Sequence, residues 1–401
     1  MTRPTPARAL VPALMAAALA GCTTAVAGTA APDLGTAFTE RVDGVSLTDV
    51  IDDPQHYLAD LAAAPDGTVV ALMAGTSEED AVVVRLAPGE DGLAVLGTVP
   101  VPPIEDDPGL HVAADGTVVV VGTADAEDTG EQVVLATVAP GADSAGTVDL
   151  EHAYGDFLPQ VGGTALSPDG RVLYVSFGYH DDVPGRVVAF DAATGEVLDE
   201  VDVDPGSGPG GHYGRHLAVR PAGGVAVLVS AYDDGAGDDT PRAVLVEYDA
   251  GLEPVGEPVT LLPDAVESIS RELFALPGGG WLAVAVDGTY QSSRVRLVVV
   301  RDGAVDRVHA LDEVVDLEAV PDDVDLGPGG HYLYVPWTGG DGDTHGVTTV
   351  DLATGEAVAQ VPLCDGPGFA ATVAVGSDGT ELVAGGGCGE GDREDVAVLL
   401  R

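Results

Sequence analysis

Short apolar runs rich in Val and Ala recur along the whole chain, and each is cut off by a polar turn that ends in glycine. Seven of these turns share one form. They are Ala64-Pro65-Asp66-Gly67, Ala113-Ala114-Asp115-Gly116, Ser167-Pro168-Asp169-Gly170, Arg220-Pro221-Ala222-Gly223, Leu276-Pro277-Gly278-Gly279, Gly327-Pro328-Gly329-Gly330 and Gly376-Ser377-Asp378-Gly379. Their final glycines are 49, 54, 53, 56, 51 and 49 residues apart. In a β-rich chain, near-constant spacing of that length predicts one four-stranded propeller blade per repeat. The fold class expected is therefore all-β: a seven-bladed β-propeller of four-stranded antiparallel blades.

Turn chemistry divides a repeat into strands A to D. In the third repeat, residues 163–166 form A, Pro168-Asp169-Gly170 turns the chain, 171–177 form B, 186–191 form C, Ala192-Ala193-Thr194-Gly195 turns it again, and 196–203 form D. The sixth repeat follows the same scheme, with residues 332–335 in B and Asp351-Leu352-Ala353-Thr354-Gly355 between C and D. Six repeats have a C-to-D turn, but the seventh runs out at Arg401 after its C strand. A missing D strand leaves a sheet edge open. The spare segment 38–47 is the candidate to fill it, closing the ring with the N-terminal strand beside the C-terminal one.

Residues 167–175, Ser-Pro-Asp-Gly-Arg-Val-Leu-Tyr-Val, with 190–197, Phe-Asp-Ala-Ala-Thr-Gly-Glu-Val, and residues 350–358, Val-Asp-Leu-Ala-Thr-Gly-Glu-Ala-Val, resemble YVTN-type and WD40-like bacterial propeller repeats. No repeat ends in Trp-Asp, and the usual Asn after Tyr-Val is absent. The resemblance implies the fold and leaves function open, because the family holds lactonases, surface-layer proteins and proteins without known activity.

The first residues have a different pattern. Arg3 and Arg8 precede an apolar stretch over residues 9–19, too short to span a bilayer, and Leu19-Ala20-Gly21-Cys22 follows. Those four residues resemble the lipobox of bacterial lipoproteins. The resemblance implies removal of residues 1–21, acylation of Cys22, export, and anchoring to the cell membrane by lipid. An ordinary secretory leader with an incidental cysteine is the alternative. Residues 22–37, small and polar, are expected to be a flexible tether, and 38–401 the propeller. Cys364 and Cys388 flank the last repeat's first hairpin, so in an exported chain a disulfide is expected between them, with two separately buried thiols as the alternative.

Charge changes the range of partners. The formal net charge is -50, and such a field repels nucleic-acid phosphates and anionic headgroups. The 401 residues contain no Lys and no Asn, so a GC-rich genome accounts for part of the acidity. The same gap excludes a Schiff-base lysine, a P-loop lysine and Asn-linked glycans. Gly-x-Ser-x-Gly, His-Glu-x-x-His and Cys-x-x-Cys are also absent.

In this strand order the A-to-B and C-to-D turns share one face, and the longer B-to-C and D-to-A loops share the other. The loop-rich face is expected to carry His56, His111, His152, His180, His212, His216 and His345. Of these and their neighbours, His111, His152, Tyr154, Asp156, His212, Arg215, His216, Arg271 and Glu272 are the ligand-face candidates. No catalytic or metal-ligating residue is assigned, and no cofactor beyond a loosely held divalent cation. Three functions follow in order: a monomeric binding scaffold for an envelope protein, glycan or small ligand; a lactonase-like or other propeller hydrolase; and a structural component of the envelope.

Overall fold

The computed structural model describes residues 35–401 apart from 52, 54, 76–79, 127–129, 151–160, 178–184, 207–211, 233–240, 266, 289–293, 312–322, 340–343 and 390–393. These residues form seven four-stranded antiparallel sheets and one five-residue helix, Leu47–Ile51. The sheets are the blades of a propeller. Blade 1 consists of Tyr57–Ala63, Val69–Ala74, Ala81–Gly89 and Gly92–Val101, and blade 2 of Glu105–Val112, Val118–Ala126, Gly130–Val138 and Gly146–Asp149. Blade 3 follows as Val161–Leu166, Val172–Phe177, Arg186–Asp191 and Val197–Asp202, and blade 4 as His212–Val219, Val225–Tyr232, Pro241–Tyr248 and Val259–Thr260. Blade 5 comprises Ser268–Ala275, Trp281–Asp287, Arg294–Arg301 and Ala304–Ala310, and blade 6 comprises Asp325–Leu326, Tyr332–Thr338, His345–Asp351 and Glu356–Pro362. Each blade orders its strands A, B, C, D.

The seven turns mark the A-to-B hairpins, and their last glycines all take positive φ, from 67° at Gly330 to 89° at Gly223. That conformation is open to glycine without a Cβ penalty. In four turns an aspartate fixes the geometry by accepting a backbone N–H two residues on: Asp66 from Thr68, Asp115 from Thr117, Asp169 from Arg171 and Asp378 from Thr380.

Strand B explains the unbroken apolar runs. In blade 4, Val225, Val227 and Val229 pack toward blade 3, while Ala226 and Leu228 pack toward blade 5. With both faces covered, a period-2 strand has no polar face to show. Trp281, 1% exposed, packs in the same blade 4 to blade 5 layer, and the Arg220 guanidinium lies 4.3 Å from its ring centroid.

Blade 7 contains Gly368–Val375, Leu382–Cys388 and Glu394–Leu400, and its fourth strand is the N-terminal Val45–Ser46. Val45 pairs with Ala397 and Ser46 with Val396. The pairing extends upstream: the Thr39 and Glu40 amides donate to the Arg401 carbonyl, Val42 N–H to Leu399, and Arg401 N–H back to Glu40. Segment 38–47 thus runs along the open edge, as its surplus in the repeat count required. Asp395 completes the junction with blade 1 by accepting the Leu58 N–H at 3.0 Å.

Candidate functional site

The A strands surround a central channel of about 1450 Å³. Tyr57, Trp337 and Phe369 line it toward the loop-rich end, and Ala114, Pro168 and Pro328 line it toward the tight turns. The sequence dictates much of its wall by register. In five A strands the pairing with strand B slips by one residue: before Asp60 in blade 1, Gly163 in blade 3, His216 in blade 4, Glu272 in blade 5 and Thr372 in blade 7. A β-bulge of this kind re-aims a side chain. Each of these residues stands seven positions before its turn-ending glycine, and so does Asp323 in the approach to blade 6. Polar residues of five blades therefore fall at one level, with Gly109 and Gly163 at that level in blades 2 and 3, and Asp325 follows Asp323 by two positions.

Four of these groups are carboxylates. Asp60 accepts N–H bonds from Leu61 at 2.6 Å and, across the blade boundary, from Leu110 at 3.2 Å. Asp325 repeats the device between blades 6 and 7, accepting the Val375 N–H at 2.8 Å. The Thr372 hydroxyl donates to Asp323. Glu272 lies 3.6 Å from His216 Nδ1, with both side chains about a quarter exposed or less.

The three aspartates are half-buried in the channel wall, and desolvation penalises their charged forms. Burial first, then the like charges of Glu272 and Asp325, pushes Asp60 up to about 8. Burial and the nearby Glu272 charge push Asp325 up to about 7. Asp323 is raised well above the usual carboxylate range by burial and by Asp60.

Of the residues singled out from the sequence, His216, Arg271 and Glu272 line this channel. His111 does too, but its place corrects the expectation. Rather than sitting on the loop-rich face, it is the penultimate residue of strand A in blade 2, next to the tight turn, because that strand runs through to Val112. Its Nε2 lies 2.7 Å from Thr164 Oγ1 of blade 3, and burial pulls its ring down to about 4, so it is neutral. His212 and Arg215 belong to strand A of blade 4, and their side chains lie outside the described residues. His152, Tyr154, Asp156, His180 and Cys22 also lie outside them. The channel aspartates Asp60, Asp323 and Asp325 were not among the sequence candidates. Counting back seven from each turn glycine is the signal that finds the first two.

Cys364 and Cys388 are disulfide-bonded, with Cα atoms 6.2 Å apart. The bond ties the end of blade 6 to the end of strand B in blade 7. Among the described residues, the set of three metal-capable groups whose ligand atoms come within 4.8 Å of one another is His345, Cys364 and Cys388, not the channel carboxylates.

Fold and site together define a seven-bladed β-propeller with an acidic central channel. No protein-family model matches the chain, and no curated protein sequence does either. Solved structures share the architecture. Hydrazine synthase of Kuenenia stuttgartiensis is similar with a TM-score of 0.57 and 17% identity over 83% of this chain and 93% of that one. The WD40 repeats of RRP9 align with a TM-score of 0.54 at 12% identity, covering 91% and 99%. A Lactobacillus plantarum protein aligns with a TM-score of 0.51 at 17% identity, covering 77% and 85%. At such identities the likeness extends to the fold.

Proposed function

We propose that the protein is an exported, membrane-tethered binding protein whose central channel takes up an organic cation, with Cys22 carrying the lipid anchor. The observation that supports this reading is the convergence of Asp60, Glu272, Asp323 and Asp325 on one channel, three of them with raised affinity for protons. A buried carboxylate that holds a proton for lack of a counter-charge gains when a ligand supplies one. The carboxylates are spread around the ring instead of closing on a point, which suits an ammonium or amidinium group on a larger body better than a bare ion. Tyr57, Trp337 and Phe369 offer aromatic surface at the loop-rich end, where a cation gains from ring faces. The overall negative charge draws cations to the mouth.

The hydrolase alternative uses the same groups, with protonated Asp325 or Asp60 as general acid. A phosphorylated or carboxylated lactone would meet four carboxyl groups against the single Arg271 guanidinium in this channel, so an uncharged lactone fits better. Calorimetric titration with spermidine separates these readings. Spermidine binding that weakens at least tenfold in Asp325→Asn supports the cation site. Absence of binding by the parent chain, or an unchanged affinity in the variant, overturns it, and turnover of glucono-δ-lactone abolished by the same change would establish the alternative.

A further inference from the structure

His345 is the first residue of strand C in blade 6 and is only 2% exposed. Its polar atoms are poorly matched. Nδ1 is buried without a hydrogen-bond partner, and Nε2 lies 2.8 Å from Cys364 Sγ of the disulfide. Leaving a buried polar atom unpaired costs free energy, and a disulfide sulfur is a weak acceptor, so packing alone does not explain an imidazole at this place. The imidazole nitrogen and both sulfurs lie within 4.8 Å of one another. None of the three residues lines the central channel, so this is a second, separate locus.

We propose that two-electron reduction of the Cys364–Cys388 disulfide converts this junction into a Cys2His site for a thiophilic cation, Zn²⁺ or Cu⁺. A dithiol supplies the two electrons and two protons: its sulfurs become a cyclic disulfide, the S–S bond breaks, and Cys364 and Cys388 emerge as thiols. The metal then displaces both thiol protons to solvent, binds the two thiolates, and takes the Nε2 lone pair of neutral His345. Water completes a fourth position.

The geometry needs little change. Tetrahedral zinc, with bonds of about 2.3 Å to sulfur and about 2.0 Å to nitrogen, places the two sulfurs about 3.8 Å apart. Side-chain rotation supplies that separation from Cα atoms already 6.2 Å apart. Both cysteines are partly accessible, so reductant and metal can reach the sulfurs while the imidazole stays inside. The oxidised state has no thiolate and excludes the metal. Disulfide and metal are thus alternative ways of clamping blade 6 to blade 7, chosen by the redox state.

Zn²⁺ titrated into the full chain against a chromogenic chelator tests this, before and after anaerobic treatment with a dithiol. One Zn²⁺ per chain is expected in the reduced protein alone. Its affinity should fall at least tenfold in His345→Ala and in the Cys364→Ser/Cys388→Ser double variant. Co²⁺ loaded in place of Zn²⁺ should show thiolate charge-transfer absorption in the reduced parent chain, a readout that needs no variant. Equal Zn²⁺ uptake by the oxidised protein, absence of that absorption, or loss of β-sheet circular dichroism on reduction each overturns the proposal.

Discussion

Phe38 and Tyr334 meet with ring centroids 5.2 Å apart and planes tilted by 47°, joining the start of the domain to strand B of blade 6. Phe38 is 1% exposed, and the Tyr334 hydroxyl donates to the Thr36 carbonyl at 3.1 Å. The closing strand is short, so this pair anchors what the strand's few hydrogen bonds hold. Phe38→Ala should destabilise the domain by about 3–5 kcal/mol through lost burial and the cavity left behind. Deleting residues 38–47 should abolish cooperative unfolding altogether. Thermal melts of both variants check this, and a deletion mutant as stable as the parent would refute the closure.

Gly44 tests the same edge at atomic range. A Cβ built there would stand 2.5 Å from the Ala397 carbonyl oxygen, part of the strand against which Val45 pairs. Backbone cannot yield as a flexible side chain can. Gly44→Val should therefore lower the melting temperature and speed hydrogen exchange across 394–400, with blades 2 to 5 unaffected.

Asp60 ties stability to pH. It keeps its proton in the folded chain up to about 8, whereas an unfolded aspartate loses it near 3.8. Between those values the folded state holds the extra proton, so this group's contribution is fully present below 3.8 and is lost as pH rises through about 8. Asp60→Asn removes that dependence and keeps an acceptor for one of the two amides, Leu61 or Leu110, at a cost that does not vary with pH. The variant should gain on the parent steadily from pH 4 to pH 8, reaching on the order of 2 kcal/mol after allowance for water reaching the carboxyl. Denaturant midpoints at several pH values measure it, and a gap that shrinks with pH would contradict the assignment.

Ligand uptake should carry the opposite signature. A cation favours the deprotonated channel, so spermidine affinity should rise between pH 6 and pH 8, by up to about tenfold per pH unit for each proton displaced. Titrations in two buffers of different ionisation enthalpy should register that proton release. A flat pH profile would place the ligand outside the channel.

Reduction of Cys364–Cys388 in the absence of metal should cost about 3 kcal/mol, the loop-closure value for a separation of 24 residues. Denaturation curves with and without a dithiol measure the loss. Added Zn²⁺ should restore part of it.

The turns that gave the period are visible in the sequence because all seven hairpins place glycine at positive φ, and four add an aspartate accepting from residue i+2. Ring closure was legible by counting, since six C-to-D turns against seven A-to-B turns leave one strand unfilled. The site was not. Asp60, Asp323 and Asp325 are three of 66 acidic residues, and composition cannot distinguish a carboxylate held inside a channel from one on a solvated loop. The bulge that aims Asp60 is a slip in hydrogen-bond register, which leaves apolar periodicity almost unchanged. His111 was misplaced because strand A of blade 2 runs through it to Val112 beside the tight turn, and no residue type before it marks where the loop ends.

The ring of residues seven positions before each turn-ending glycine reads, from blade 1 to blade 7, as Asp60, Gly109, Gly163, His216, Glu272, Asp323 and Thr372. Its letters are not shuffled evenly. Two adjacent glycines leave one arc without charge, where the neutral His111–Thr164 pair stands, and the carboxylates come from blades 5, 6 and 1. A guest entering such a tube would not sit on its axis: its cationic end would be drawn to one wall and its bulk would lean on the other. The sevenfold repeat thus produces a lopsided lumen, able to tell one end of a molecule from the other and alterable one blade at a time without disturbing the frame.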